Sequence, residues 1–147
     1  MGIFDLIKPK QPQKTIDKPF LISKEDRASL ILPDSGYTLK YHYTDIDICW
    51  FLDKYKIPKG GFNPGNRVIF VQEPKNPHDK NAVLLMFAPQ RAPIGYLRRG
   101  KIQDMVNDYI KHGDKVVARV SFYRFNPVPE MKIDIAFFKK EKAGKKK

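Results

Sequence analysis

The sequence predicts a mainly β fold: a small, closed or partly open β-barrel of about six strands carrying one amphipathic helix. Three observations lead there. Six or seven short segments alternate apolar and polar residues or run apolar for four to six positions. Clusters of Pro, Gly, Asn and Asp separate them. Only one stretch has helical spacing, and it comes late in the chain, so strands rather than helices must supply most of the core. At 147 residues the chain fits one domain with tails.

Residues 1–19 place Pro9, Pro12 and Pro19 among lysines and glutamines, the composition of an extended or disordered arm. Ile3, Phe4, Leu6 and Ile7 supply at most one amphipathic turn, too short to hold a helix in water. The barrel domain is expected over residues 20–138. Tyr37, Leu39, Tyr41 and Tyr43 alternate with Thr38, Lys40, His42 and Thr44 as a half-buried strand. Ile48–Tyr55 reads as a second strand, and residues 56–66 (KIPKGGFNPGN) as a long turn. Val68–Val71 is a short apolar strand ending at Glu73-Pro74. Asn76-Pro77-His78-Asp79 then has loop chemistry, since Asn and Asp favour Asx turns and Pro77 keeps Asn76 out of helical space. Ala82–Phe87 and Ile94–Leu97 are further strands.

The helix is expected over about residues 101–112. Ile102, Met105, Val106, Tyr109 and Ile110 share one face, and Gly113 supplies the C-terminal cap. Two strands follow. Val116, Ala118, Val120 and Phe122 alternate with polar or smaller residues, and Met131, Ile133, Ile135 and Phe137 oppose Lys132, Asp134, Ala136 and Phe138. Residues 139–147 (KKEKAGKKK) form a lysine-rich tail.

Charge narrows the function classes. The formal net charge is +12, which points to a polyanionic partner. The tail contributes +5 and residues 1–18 another +2, so much of the excess says nothing about a folded site. A single cysteine, Cys49, excludes an internal disulfide, and with His42, His78 and His112 it has no zinc-ligand spacing. No metal or other cofactor is expected. No run approaches the ~20 apolar residues of a membrane span, and the N-terminus lacks both a signal-peptide pattern and the Ser or Thr that myristoylation needs at Leu6. These features predict a cytoplasmic protein, nucleoid-associated if bacterial.

The informative stretch is Arg67–Arg99. A strand ends in Glu73-Pro74, the loop Asn76-Pro77-His78-Asp79-Lys80-Asn81-Ala82 follows, and after another strand comes Gly95-Tyr96-Leu97. This closely resembles the HIRAN domain, whose pattern reads E-P-x-N-x-Y/H-D-x-N-A and then V-G-Y/H-L. Fixed identities at fixed offsets in a loop are specific in a way that core periodicity is not. The resemblance covers about residues 48–138. It implies an OB-like barrel and binding of single-stranded DNA, with recognition of a free 3′-hydroxyl in the best understood eukaryotic members. There the module sits beside a Snf2-type ATPase. This chain has no room for such a motor and no G-x-x-x-x-G-K-[ST] loop, so a helicase, translocase or nuclease would come from another chain, in DNA repair, replication or mobile-element transfer.

Mapped residue by residue, the resemblance assigns DNA contacts to Asn76, His78, Asp79, Tyr96 and Arg99; the residue types add Arg98, with Lys80 adjoining them. By residue type, Glu73, Pro74, Asn81 and Gly95 read as loop structure. An aromatic on the first barrel strand falls at Tyr55 by spacing, or at Tyr41 or Tyr43 if the long turn is an insertion. A further aromatic after the helix is loosely matched by Phe125. Trp50-Phe51-Leu52 departs from the small-residue V-x-G approach of usual members. The residue types also suit a strand end, which presents a π-face, a sugar hydroxyl and phosphates. His78 can stack, Asp79 can accept the hydroxyl proton, Asn76 can meet a base edge, and Arg98 and Arg99 can meet phosphates.

Structural readings compete with these. Asn76 and Asp79 are also turn-capping residues, and Tyr41, Tyr43, Phe122, Phe137 and Phe138 alternate regularly enough to be mostly barrel core. Two other functions remain open. Pro33-Asp34 with Glu73-Pro74-Lys75 loosely spells a metal-dependent nuclease, although thirty-nine residues separate the acids and Pro74 breaks the strand. Both basic tails could instead bind anionic membranes.

Overall fold

The alternating segments pair into one antiparallel sheet. The computed structural model describes residues 20–33, 35–50, 67–88, 91–124 and 130–141. These form β1 (Phe20–Leu21), α1 (Lys24–Ser29), β2 (Tyr37–Trp50), β3 (Arg67–Gln72), β4 (Val83–Phe87), β5 (Ala92–Leu97), α2 (Lys101–Lys111), β6 (Lys115–Arg124) and β7 (Glu130–Lys140). The strand order is β1-β6-β3-β4-β5-β2-β7, and β7 also pairs with β6. Six strands therefore close into a barrel. The short β1 adds to the half of β6 that β3 leaves unpaired: Phe20 faces Tyr123, whereas Arg67 faces Arg119.

Inward residues fill the barrel as period two requires. Val83, Leu85 and Phe87 from β4, Val120 from β6, and Ile133, Ile135 and Phe137 from β7 are fully or almost fully buried. Each such large side chain contributes about 1.5–3 kcal/mol of hydrophobic stabilisation. Helix α2 adds Val106 and Tyr109 to this core. It ends in a Schellman motif, with Gly113 at φ 77° donating to the Ile110 carbonyl and Asp114 to that of Tyr109.

Three features differ from the sequence expectation. The two strands read at residues 37–44 and 48–55 are one strand through Trp50, whose pairing with β7 shifts register between Tyr43 and Ile46. There Asp45 adopts φ 54°, a bulge that keeps the strand continuous while re-aiming its side chains. Residues 51–66, including the remainder of the second expected strand and the long turn, lie outside the described residues, as do residues 1–19 and 142–147; Lys139 and Lys140, expected in the tail, instead continue β7 opposite Thr38 and Tyr37. Residues 20–33 hold β1 and α1, for which periodicity gave no signal because both are short. Ser23 caps α1, its Oγ accepting from the Asp26 N–H at 3.0 Å.

The third difference follows from the second. On β7 the outward residues Asp134, Ala136 and Phe138 are buried, because the α1 segment covers them. Leu30 packs with Ala136 and Phe138. Arg27 Nε donates to Asp134 Oδ2 at 2.6 Å and its NH2 to Oδ1 at 3.2 Å, and the Asp45 N–H also donates to Oδ1 at 2.9 Å. Asp45 in turn accepts from Arg27 at 2.9 Å and from Ser121 Oγ at 2.8 Å. Tyr41, expected in the core, is 49% exposed. Its ring stacks on Tyr43, and both meet Phe137 edge-on.

Candidate nucleic-acid interface

The β3–β4 connection must turn the chain through Glu73–Ala82 without help from a sheet ladder. Side chains replace the ladder. Glu73 N–H donates to the Ala82 carbonyl, and Ala82 N–H to that of Asp79, both at 3.0 Å. Asn76 Oδ1 accepts from the N–H groups of His78 at 2.8 Å and Asp79 at 3.1 Å, an Asx turn that Pro77 favours by fixing its own φ. Asn76 Nδ2 donates to Glu73 Oε1 at 3.0 Å, and the Tyr96 hydroxyl donates to the same oxygen at 2.8 Å. Glu73 thus ties the loop to β5.

Asp79 is the second hub. Its Oδ1 accepts from the Asn81 N–H at 2.9 Å, and its Oδ2 from Gln103 Nε2 on α2 at 3.0 Å. Arg99 Nε lies 3.3 Å from Oδ2, and Arg99 NH2 donates to the His78 carbonyl at 2.8 Å. The Asn81 N–H, then Gln103, hold the Asp79 carboxyl below the usual carboxylate range against the opposing effect of burial, and Arg99 adds to them. Asp79 is therefore an ion at neutral pH, with 18% of its side chain exposed, while 71% of the Arg99 side chain is exposed. The bond to Glu73, followed by burial, raises the Tyr96 phenol above its ordinary value and keeps it a neutral donor.

The structure brings Asn76, His78, Asp79 and Arg99 together on one rim, with Glu73 and Tyr96 beside them. His78 and Arg98 are exposed. Most of the Asn76 amide is spent on the turn. Lys80 points elsewhere. It lines a groove of about 590 Å³ between the loop and α2, together with Asp104, Asp108 and Lys111. Those two carboxylates disfavour phosphates in the groove, whereas the rim at Arg99 exposes Arg98 and Arg99. Gly95 is architectural: a Cβ there would stand 2.5 Å from the Cys49 carbonyl oxygen and the Trp50 Cα on β2. Tyr43 reaches Met105 of α2 with its hydroxyl, and Tyr41 stacks on Tyr43. Tyr55 and Phe125 lie outside the described residues. So does Asp34 of the nuclease-like pattern, whose other acid, Glu73, is engaged by Asn76 and Tyr96.

Two residues that sequence reasoning passed over complete the site. Gln103 is buried and orients Asp79. Asn107 accepts from Gln72 Nε2 at 2.8 Å and donates to the Asn81 carbonyl at 2.9 Å. Both sit on the loop-facing flank of α2, where a polar residue among apolar neighbours gives no signal of its own.

Comparison with known proteins bears on the fold and the family. Among solved structures, the HIRAN domain of human HLTF matches with a TM-score of 0.56 and 20% sequence identity, over 74% of this chain and 84% of that one. A protein from Lactobacillus plantarum matches with a TM-score of 0.49 and 14% identity, over 70% of this chain and 96% of that one. No curated protein matches the sequence. No helix among the described residues is long and apolar enough to cross a membrane. The HIRAN domain family model matches residues 39–140, taking in nearly all of the bulged β2 as well as the loop and both final strands. The chain belongs to the HIRAN domain family, a family of nucleic-acid-binding modules.

Proposed function

We propose that this module binds single-stranded DNA at or near a free 3′-hydroxyl end. The observation that carries the reading is the Asp79 carboxylate, held ionised at the loop rim by the Asn81 N–H and Gln103, with Arg99 bridging it to the His78 carbonyl. A carboxylate offers about four acceptor positions, and the three donors around Asp79 leave one for a further hydroxyl. Placed beside a polyanion, such a group is repulsive unless it meets a donor. A terminal 3′-hydroxyl is that donor, and an internal phosphodiester is not. The exposed His78 ring supplies a stacking surface, worth about 1–3 kcal/mol per base, while Arg98 and Arg99 supply cations for the neighbouring phosphates. In this reading the chain holds the end, and a helicase, translocase or nuclease on another chain acts on it.

The test is a fluorescence anisotropy comparison of oligonucleotides ending in a 3′-hydroxyl or a 3′-phosphate, using protein without residues 142–147, which lie beyond β7. Wild-type protein should favour the hydroxyl end by about tenfold, the scale of one hydrogen bond to a charged group. Asp79→Asn keeps an oxygen for the Asn81 N–H but loses the charge, and should abolish the preference while retaining binding to both. Equal binding of the two ends by wild-type protein would remove hydroxyl recognition and leave general strand binding.

A further inference from the structure

The acceptor positions of the Asp79 carboxylate are not equally taken. Each of its oxygens offers about two. Oδ2 receives Gln103 Nε2 at 3.0 Å and is approached by Arg99 Nε at 3.3 Å, which fills both of its positions. Among the described residues, Oδ1 receives only the Asn81 N–H, at 2.9 Å. The open position therefore belongs to Oδ1.

Helix α2 makes the two oxygens unequal. Gln103 lies in its first turn and is 4% exposed, so its side chain has little freedom to leave the carboxylate. An ionised carboxylate only accepts hydrogen bonds, which fixes the Gln103 amide with its NH2 group toward Oδ2. Asn107 follows four residues on, along the same flank of the helix. It donates to the Asn81 carbonyl at 2.9 Å and accepts from Gln72 Nε2 at 2.8 Å. Asn81 is thus held at its N–H by Asp79 and at its carbonyl by Asn107. The carboxylate is set from both sides, Oδ2 by Gln103 and Oδ1 by a loop residue that α2 itself fastens. Arg99 is the poorer anchor: 71% of its side chain is in solvent, and it also serves the His78 carbonyl.

We propose that Gln103 is the positioning residue of the strand-end site: by occupying Oδ2 it turns Oδ1 toward the ligand, as the atom that accepts the hydrogen bond of the terminal 3′-hydroxyl. The proposal rests on the 3′-hydroxyl reading above and adds the atom that reads the hydroxyl and the residue that aims it. Without Gln103 the carboxylate keeps its charge and loses its aim. Strand affinity then survives and end selectivity does not.

Anisotropy with strands ending in a 3′-hydroxyl or in a dideoxynucleotide tests this, on the full chain of wild type, Gln103→Met and Gln103→Glu. The dideoxy end lacks the hydroxyl and brings no titrating group of its own. Gln103→Met fills similar space without a donor. It should cut the preference for the hydroxyl end from about tenfold to about twofold, while the dideoxy strand binds as it does to wild type. Gln103→Glu should match Gln103→Met at about pH 8, where two carboxylates repel, and regain the preference at about pH 5, where a shared proton restores a donor to Oδ2. Wild type should keep its preference across that range. Of the other charged groups nearby, Arg99 keeps its charge, and Glu73, His78 and Asp104 act on both strands and cancel in their ratio.

Two resonance measurements complete the test. In the free protein the Asp79 carboxyl should titrate at higher pH in Gln103→Met than in wild type, because a donor to the ionised form is lost. The Asn81 amide, which shares Oδ1 with the hydroxyl, should differ between the hydroxyl and dideoxy complexes. A difference at the Gln103 side-chain amide alone overturns Oδ1 as the acceptor. An unchanged hydroxyl preference in Gln103→Met overturns the proposal, and so does an equal loss on both strands, the result a merely structural residue gives. If wild type binds both ends equally, a raised Asp79 carboxyl in Gln103→Met still sustains the positioning and puts the failure on the hydroxyl reading. An unmoved carboxyl overturns the positioning itself.

Discussion

Two carboxylates in this molecule receive the same kind of company and do different work. Asp134 and Asp79 each meet an arginine and a backbone N–H, and Asp79 also meets Gln103. Asp134 is fully buried, and Arg27 grips it through two nitrogens at 2.6 and 3.2 Å. Asp79 sits at a rim, and Arg99 approaches it only at 3.3 Å, leaving most of its own side chain in solvent. Burial separates the two. A buried ion is costly unless it is fully paired, so the Asp134 cluster commits its members to fastening α1 against β7. A rim ion keeps its charge at little cost and has cations and acceptor capacity to offer a ligand. The arginine–aspartate motif alone does not say which role it has.

The strongest way to break this contrast is Arg27→Ala. It strands a buried carboxylate with one backbone donor from Asp45, a situation that costs about 3–5 kcal/mol. Because Arg27 itself is partly exposed, the lower end of that range is expected, read as a fall in the midpoint of urea unfolding. Below the transition, the folded variant should bind oligonucleotides as wild type does, because the cluster lies away from the loop. Replacing both partners, Arg27→Met with Asp134→Leu, should recover much of the loss. A double variant less stable than Arg27→Ala would show that the cluster does more than neutralise its own charges.

The pH response of Asp79 sharpens the same contrast. Its carboxyl is depressed by the Asn81 N–H first and by Gln103 next. The stabilisation it gives the loop is therefore fully present above the unfolded carboxylate value of about 3.9, and is lost as pH falls through the lower folded value. The Asn81 amide resonance should stay fixed from pH 8 to about pH 5 and move only in acid. In Asp79→Asn that acid transition should disappear. A movement of the Asn81 amide near pH 6 in wild type would place the hydrogen bond with another titrating group.

How much of this was legible in the sequence depends on the range of the interactions. The strands β3 to β7 and the face of α2 follow from local alternation, and Gly95 and the Glu73–Asn81 loop stand out by residue type at fixed offsets. The Arg27–Asp45–Asp134 cluster did not. Its members lie far apart in sequence, and Asp134 occupies what alternation marks as a solvent position. Only the docking of α1 makes that position internal. The division of residues 37–55 into two strands failed because a bulge at Asp45 breaks the period while the strand itself continues. Gln103 and Asn107 were missed because their polar partners lie on the loop and at the end of β3, more than twenty residues away.

Arg99 carries the smallest expected effect and distinguishes a phosphate contact from a loop clamp. It donates to the His78 carbonyl as well as approaching Asp79, so Arg99→Ala removes both a cation from the rim and a strut from the loop. Arg99→Lys keeps the charge and loses the planar fork that reaches two acceptors. If Arg99 serves a phosphate, Arg99→Ala should weaken binding of 3′-hydroxyl and 3′-phosphate strands alike by a few-fold and lower the salt slope by about 0.7, with Arg99→Lys restoring the slope. If it serves the loop instead, the two variants should be equally weak, both should keep the wild-type slope, and the loss should fall mainly on the 3′-hydroxyl strand. The rim would then owe its strand affinity to other cations such as Arg98, and the Arg99–Asp79 pair would be a weaker, exposed counterpart of the Arg27–Asp134 lock.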